Sequence, residues 1–303
     1  MVACSEGEGG TREVTELWLV VGAGGQLGTD LMRVLDGHDV VGLTRGDLDI
    51  TDADAVARTV AAVVPSVIVN AAAYTAVDAA ETDEATAFTA NVTAPAALAA
   101  AAALARSRFV HVSTDYVFAG DATTPYDEAA ATGPKSAYGR TKLAGEQAVF
   151  AELPDAYVVR TAWVYGASGA NFVKTMARLE RERETVSVVD DQRGSPTWSH
   201  DLARGLVALG SSGADGGIYH CTNTGETTWF GFTRAIFEEL GADPERVLPT
   251  TTAAFPRPAP RPAYSVLGNR RWIEAGLDLL PHWRAALHDA FASAPDELRG
   301  AAR

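Results

Sequence analysis

From about residue 16 the chain alternates between short apolar runs and helical patterns, and the first switch is abrupt: "LWLVVGAGGQLG". An apolar run of this length that ends in glycines reads as a buried strand entering a tight turn. The pattern repeats. "TDLMRVLDG" reads as a helix ending near Gly37, and "DVVGL" as a second strand. "TDADAVARTVAAVV" has Thr51 or Asp52 as its cap and Pro65 after its end. "SVIVNAAAY" is a strand, and "EATAFTANVTAPAALAAAAALARS" an Ala-rich helix that Pro95 is expected to interrupt. "RFVHVST", "SAYGRTKLAGEQAVFAEL" and "AYVVRTAWVYG" continue as strand, helix and strand. Such alternation implies parallel strands joined by crossover helices. The expected fold is therefore α/β, a doubly wound parallel sheet of the Rossmann type.

The second half is less regular. Helices are expected in "NFVKTMARLERERE", "HDLARGLVALG" and "TWFGFTRAIFEELG", and strands in "TVSVVDDQRGSPT" and "GGIYHCT". Prolines at 256, 258, 260 and 262 make the next stretch extended. With 39 acidic against 25 basic residues, the net charge of −14 argues against a nucleic-acid surface. Cys4 and Cys221 match no metal-ligand spacing, which suits a reducing setting. No apolar run free of polar interruptions is long enough for a bilayer span. The opening "MVACSEGEGGTREVTE" lacks the hydrophobic centre of a signal peptide. A cytoplasmic protein with a loose tail over residues 1–14 is expected.

The glycines of "GAGGQLG" fall at 22, 25 and 28, with an extra one at 24. Between a strand and a helix, that spacing suits a pyrophosphate resting on backbone N–H groups, where a Cβ would intrude. A nicotinamide dinucleotide is the expected cofactor. The second strand ends in Leu43, Thr44 and Arg45 rather than in the acid that holds an NAD ribose. Arg45 can accept a 2′-phosphate, so NADPH is expected, with NADH as the alternative. The bland reading of Arg45 is a solvated charge.

Of the 25 basic residues only three are lysines, at 135, 142 and 174, and Lys142 follows Tyr138 by four. On a helix these two share a face. A phenol is a proton donor at neutral pH, and an ammonium beside it stabilises the phenolate. That pairing suits reduction of a carbonyl, with Tyr138 protonating its oxygen. "HVSTDYVFAG" ends a strand at the same expected sheet edge, so Thr114 or Ser113 can hydrogen-bond that oxygen.

These motifs, with "VNAAAYTAVDAAE", "NVTAPAALA", "RTAWVYG", "NFVKTM" and "DDQRGSPT", resemble the extended short-chain dehydrogenase/reductases. More closely they resemble the dTDP-4-dehydrorhamnose reductases, over about residues 16 to 290. The resemblance implies NAD(P)H-dependent reduction of the C4 keto group of dTDP-4-dehydro-L-rhamnose. Its alternatives are another nucleotide-sugar reductase or epimerase, or a non-catalytic regulatory subunit of methionine adenosyltransferase. It implies a dinucleotide-binding domain over 15–160 plus about 198–222. A smaller C-terminal α/β substrate-binding domain would take 161–197 plus about 223–303.

By the same resemblance Thr114, Tyr138 and Lys142 are the catalytic trio. Gly22, Gly25, Gln26, Leu27 and Gly28 belong to the pyrophosphate turn. Asp49 and Ile50 contact the adenine, unless Asp49 is a cap or turn residue. Asn70 to Ala73, which includes Ala72, and Thr75 pass the nicotinamide half. Val77, Asp78, Tyr116 and Trp163 face the sugar, Trp163 having a core aromatic as its alternative. Asn171 and Lys174 serve the nucleotide, unless Lys174 is a surface charge, and Arg261 the diphosphate, unless the proline-rich stretch is a plain linker. Two departures stand out: Tyr264 replaces the Asn usual in the family, and Asp30 is the nearest match to magnesium-binding glutamates of some relatives. Magnesium dependence stays open, as does the choice between monomer and homodimer. No residue is assigned to a metal.

Overall fold

The computed structural model describes residues 16–300; the tail expected over 1–14, with Cys4, lies outside the described residues. The first half runs β1 (Trp18–Val21), α1 (Gln26–Val34), β2 (Val40–Leu43), α2 (Ala53–Val63), β3 (Val67–Asn70), α3 (Val77–Ala80), α4 (Glu84–Phe88), α5 (Ala94–Ala105), β4 (Arg108–Thr114), α6 (Ala137–Glu152) and β5 (Tyr157–Thr161). The second half adds β6 (Val164–Tyr165), α7 (Phe172–Glu182), β7 (Val186–Val189), β8 (Arg193–Gly194), β9 (Thr197–Trp198), α8 (Ser199–Ser211), β10 (Gly217–His220), β11 (Thr227–Thr228), α9 (Trp229–Leu240), β12 (Val247–Thr250), α10 (Arg270–Glu274), α11 (Trp283–Ser293) and α12 (Pro295–Arg299).

Six strands form one parallel sheet in the order β10-β5-β4-β3-β1-β2. The doubly wound sheet is thus present, with one strand beyond β1 instead of the two in the 3-2-1-4-5-6 dinucleotide order. Residues 44–52, between β2 and α2, form turns. The order reverses between β1 and β3, which opens a crevice at their carboxyl ends.

Strand alternation divides the core. Trp18, Val20, Val67 and Val69 face α1 and α8, meeting Leu27, Leu31, Leu202 and Leu206. Leu19, Val21 and Ile68 face the other way, onto Val56 and Val60 of α2 and Leu98 and Ala102 of α5. Chain 199–220 therefore returns to the sheet late, bringing α8 and β10. A separate core gathers Val173 and Met176 of α7, Val186 and Val188 of β7, Phe232 and Ile236 of α9, and Leu287 and Phe291 of α11. It carries the two-stranded pairs β7–β12, β8–β11 and β6–β9.

Pro95 does not interrupt its helix. The helical stretch is continuous over Glu84–Ala105, and a π-helical turn at Thr89–Thr93 takes up the strain one residue before α5 begins. In an α-helix the Asn91 carbonyl would accept from residue 95, which as proline has no N–H. That carbonyl instead lies against α6, where a Cβ on Gly145 would come within 2.0 Å of it. By length and composition this helix could cross a bilayer, but Leu98, Ala99, Ala101 and Ala102 are buried against the sheet.

Candidate active site

A cleft of about 1220 Å³ opens at the carboxyl ends of the sheet strands. Its floor begins at the turn between β1 and α1. Gly25 precedes α1 in extended backbone, no side chain caps the helix, and no acid sits in its first turn. The first N–H groups are left for an anion, at the positive end of the helix dipole. Gly22, Gly25, Gln26 and Leu27 line the cleft, whereas Gly28 lies beneath it. A Cβ on Gly28 would sit 2.1 Å from the Gly22 carbonyl oxygen, so only glycine lets the helix approach the turn. A pyrophosphate fits this cradle.

Arg45, Asp49, Ile50, Ala72, Ala73 and Thr75 line the same cleft. Arg45 is exposed in a turn braced by Asp47, whose carboxylate takes the Thr44 N–H at 2.9 Å and its hydroxyl at 2.6 Å. Asp49 is a turn residue as well as a lining one. Its Oδ1 accepts from the Thr51 hydroxyl at 2.7 Å and the Thr51 N–H at 3.0 Å, which hold the carboxyl below its ordinary value.

Thr114 ends β4, and Ser136 caps α6 by accepting from Gly139 N–H at 3.1 Å, which sets Tyr138 in the first turn. Thr114, Tyr138 and Lys142 all line the cleft. Burial pushes the Tyr138 phenol up to about 12, with Thr114 opposing. Lys142 is brought down to about 8 by burial, against the pull of Glu146. Lys142 Nζ reaches down to β4, donating to the Val112 carbonyl at 2.8 Å and lying 3.4 Å from His111 Nε2. The groups acting on the phenol are Thr114 and Asp115.

The choice between Ser113 and Thr114 resolves by partners. Ser113 donates to Glu146 Oε1 at 2.5 Å, and Glu146 is held by Arg160 through two bonds of 2.9 and 2.7 Å. Thr114 is the hydroxyl beside Tyr138. It donates to Asp115 Oδ1 at 2.9 Å. Asp115, absent from the sequence-based site, is 2% exposed, and its Oδ2 finds no well-directed partner. Burial raises it to about 6, opposed by the Ser265 and Thr114 hydroxyls.

Val77, Tyr116 and Trp163 line the cleft, Tyr116 standing edge-on to Tyr138 with ring centroids 5.5 Å apart. Trp163 adopts a left-handed φ of 49° and stacks on Trp229 at 3.5 Å and 6°. Trp229, which sequence reasoning missed, lines the cleft as well.

Four expected residues are engaged elsewhere. Asp78 pairs with Arg261 at 2.9 Å and accepts from Ala259 N–H at 3.2 Å; Arg261 borders a second, smaller cleft with Tyr116 and Pro260. Asn171 caps α7, accepting from Lys174 N–H at 3.1 Å, and donates to Gln26 Oε1 at 3.0 Å. Lys174 Nζ donates to the Ala167 carbonyl. Tyr264 donates to Glu226 Oε2 at 3.1 Å. Asp30 is buried between Ser199 and Arg33. Among the described residues no three His, Cys, Asp or Glu gather as a metal site.

A family model described as the RmlD substrate binding domain matches residues 17–295. A dTDP-4-dehydrorhamnose reductase of Streptomyces griseus is 53% identical over 90% of this chain and 92% of its own. A probable dTDP-4,6-dihydroxy-2-methyloxan-3-one 4-ketoreductase of Streptomyces antibioticus is 52% identical over 94% and 99%. A solved dTDP-4-dehydrorhamnose reductase of Bacillus anthracis, in complex with NADP, superposes with a TM-score of 0.89 at 38% identity over 92% of this chain and 99% of its own. The chain belongs to the RmlD substrate binding domain family.

Proposed function

We propose that this chain is an NAD(P)H-dependent oxidoreductase that reduces the C4 keto group of dTDP-4-dehydro-L-rhamnose to give dTDP-L-rhamnose. The observation that carries the reading is one cleft holding the glycine cradle at one end and Thr114, Tyr138 and Lys142 at the other. A bound nicotinamide would supply the hydride that C4 receives. Tyr138, protonated across the neutral range, gives its proton to O4. Thr114 holds its hydroxyl beside the phenol, and Lys142, which lines the cleft below it, would meet the cofactor ribose. Arg45 is suited to a 2′-phosphate, which favours NADPH over NADH. Val77, Tyr116 and Trp163 are assigned to the sugar. Asp78, Asn171 and Arg261 would have to exchange their present partners to reach substrate. A different 4-keto sugar nucleotide is the second reading, favoured by the 4-ketoreductase relative.

The test is NADPH oxidation, followed by absorbance, with enzymatically made dTDP-4-dehydro-L-rhamnose, repeated with NADH and with a chelator. Rapid oxidation that yields dTDP-L-rhamnose is expected, faster with NADPH. Tyr138→Phe should lose about 10²–10⁴-fold in turnover, the usual worth of a placed proton donor, while still binding NADPH. Near wild-type turnover in that variant would sink the assignment of Tyr138. No oxidation with cofactor bound would move the reading to another sugar.

A further inference from the structure

Tyr138, Lys142 and Glu146 fall four residues apart on α6, so they form one stripe, and all three are buried. The stripe lies along the end of β4. Thr114 stands beside the Tyr138 phenol, the Val112 carbonyl accepts from Lys142 Nζ at 2.8 Å, and the Ser113 hydroxyl donates to Glu146 Oε1 at 2.5 Å. The last of these contacts is tied to a third element. Arg160 of β5 donates to Glu146 through Nε at 2.9 Å and Nη2 at 2.7 Å, and the sheet register sets Arg160 opposite Ser113. The guanidinium is held in turn over the Phe118 ring, 4.9 Å from its centre. Glu146, Arg160 and Ser113 are exposed by 2%, 2% and 3%. A buried ion pair is a poor way to stabilise a fold, since apolar side chains of like volume often serve as well. What it supplies is direction, because a two-pronged guanidinium–carboxylate contact fixes angle as well as distance.

We propose that Glu146 is a positioning residue, the anchor through which Arg160 and Ser113 hold the Tyr138–Lys142 stripe of α6 in register with Thr114. Neither Glu146 nor Arg160 lines the cleft, whereas Ser113, Thr114, Tyr138 and Lys142 do, so the pair acts through its neighbours. The anchor ties α6 to the two strands whose ends carry Thr114 and Trp163. Its carboxylate has a second effect one turn back along the helix. It favours the ammonium of Lys142 against the burial that disfavours it, and it cancels the Arg160 charge that would otherwise stand unpaired close by. The other titratable groups packed here do not compete. Burial keeps His111 of β4 neutral, with Lys142 adding to the effect, and burial first of all does the same for His220, the neighbour of Arg160 on β10. Asp115 acts on Tyr138.

Ser113→Ala cuts the tie to β4 and leaves the ion pair. Glu146→Asp keeps the charge but draws the carboxylate back by one methylene, and Glu146→Gln keeps the shape but removes the charge. The full-length protein, free of cofactor and substrate, is titrated first, with Lys142 followed by ¹³Cε NMR among only three lysines. Its midpoint should fall by about one pH unit, tenfold in proton affinity, in Glu146→Gln and stay in place in Ser113→Ala. Turnover is then measured with NADPH and with NADPH deuterated at the transferred hydrogen, active sites being counted by NADPH titration. Per active site, kcat should fall in Ser113→Ala and further in Glu146→Asp, by up to about 10²-fold for a displacement near 1 Å, with KM for the sugar nucleotide changed far less. The isotope effect on kcat should rise toward its intrinsic value as the hydride step slows. A carboxylate that served the fold alone would lower the number of active sites and leave kcat per site as in the wild type. That result, or an unmoved Lys142 midpoint in Glu146→Gln, would overturn the proposal; Ser113→Ala, the mildest change, decides the turnover arm if Glu146→Asp does not fold. Only that arm rests on the reductase reading. A wild type that oxidises no NADPH would count against that reading, while the lysine titration, which uses neither ligand, would still decide the anchor.

Discussion

Asp115 carries a cost that its neighbours do not remove. Its carboxyl is buried beside Thr114 and Tyr138, and its pKa is raised from 3.8 to about 6. The folded protein therefore holds this proton more tightly than the unfolded chain. The contribution to stability is fully present below about 4 and is lost as pH rises through about 6. A rise of that size corresponds to about 3 kcal/mol at most. Urea unfolding from pH 4 to 6.5 should show a decline in the wild type that Asp115→Asn lacks; parallel curves would show that the carboxyl is not held up. The residue types of this site are legible in sequence, since glycine spacing, Tyr138 with Lys142 and the strand-end Thr114 each carry a local signal. Their polar partners are not. Ser113 meets Glu146 across 33 residues because α6 packs on β4, and Asn70 meets His111 across 41 because the register of β3 and β4 sets them side by side. Asp115 left no signal of its own, because a carboxylate in "STDYVF" is indistinguishable from a solvated one until burial is known.

The helix over 84–105 shows how one element can be read correctly in kind and wrongly in detail. Its composition announces a helix, and Pro95 announces a break. The π turn at Thr89–Thr93 lets the helix continue, at the place where Asn91 faces the cleft loop. Asn91 is fully buried; its Oδ1 accepts from Tyr74 N–H at 2.9 Å, and its Nδ2 donates to the Tyr74 carbonyl and to Thr141 Oγ1, both at 3.1 Å. One side chain thus ties this helix to the 71–75 loop and to α6. Asn91→Ala leaves the half-buried backbone N–H and C=O of Tyr74 without these partners, at up to about 1–3 kcal/mol for each group left unsatisfied. The urea midpoint should fall at unchanged slope, and NADPH should bind more weakly because Ala72, Ala73 and Thr75 line the cleft. A lowered midpoint with cofactor affinity intact would confine Asn91 to stability.

At the scale of the whole molecule, the cleft is bounded by the sheet and by a second core. The glycine cradle and the trio belong to the six-stranded sheet, whereas Trp163 and Trp229 pack against the second core. Alternating pattern made the sheet legible, but not its strand order, nor the approach of two tryptophans 66 positions apart in chain that meet face to face. The left-handed φ of Trp163 is sustained by that contact, since a bulky side chain in this region of backbone is strained and needs its surroundings to hold it. Trp229 should therefore matter to the sugar through Trp163, not to the cofactor. An aromatic pair is worth about 0.5–1.5 kcal/mol beyond area, or up to about tenfold in an equilibrium. Trp229→Ala is expected to raise KM for the sugar nucleotide by up to about that factor, with kcat changed less and the NADPH dissociation constant unmoved. Trp229→Phe, which keeps a ring against Trp163, should recover most of the loss. Equal weakening of both ligands would mean that the stack supports the fold of the cleft as a whole, and that the division of labour between the two cores is not as drawn.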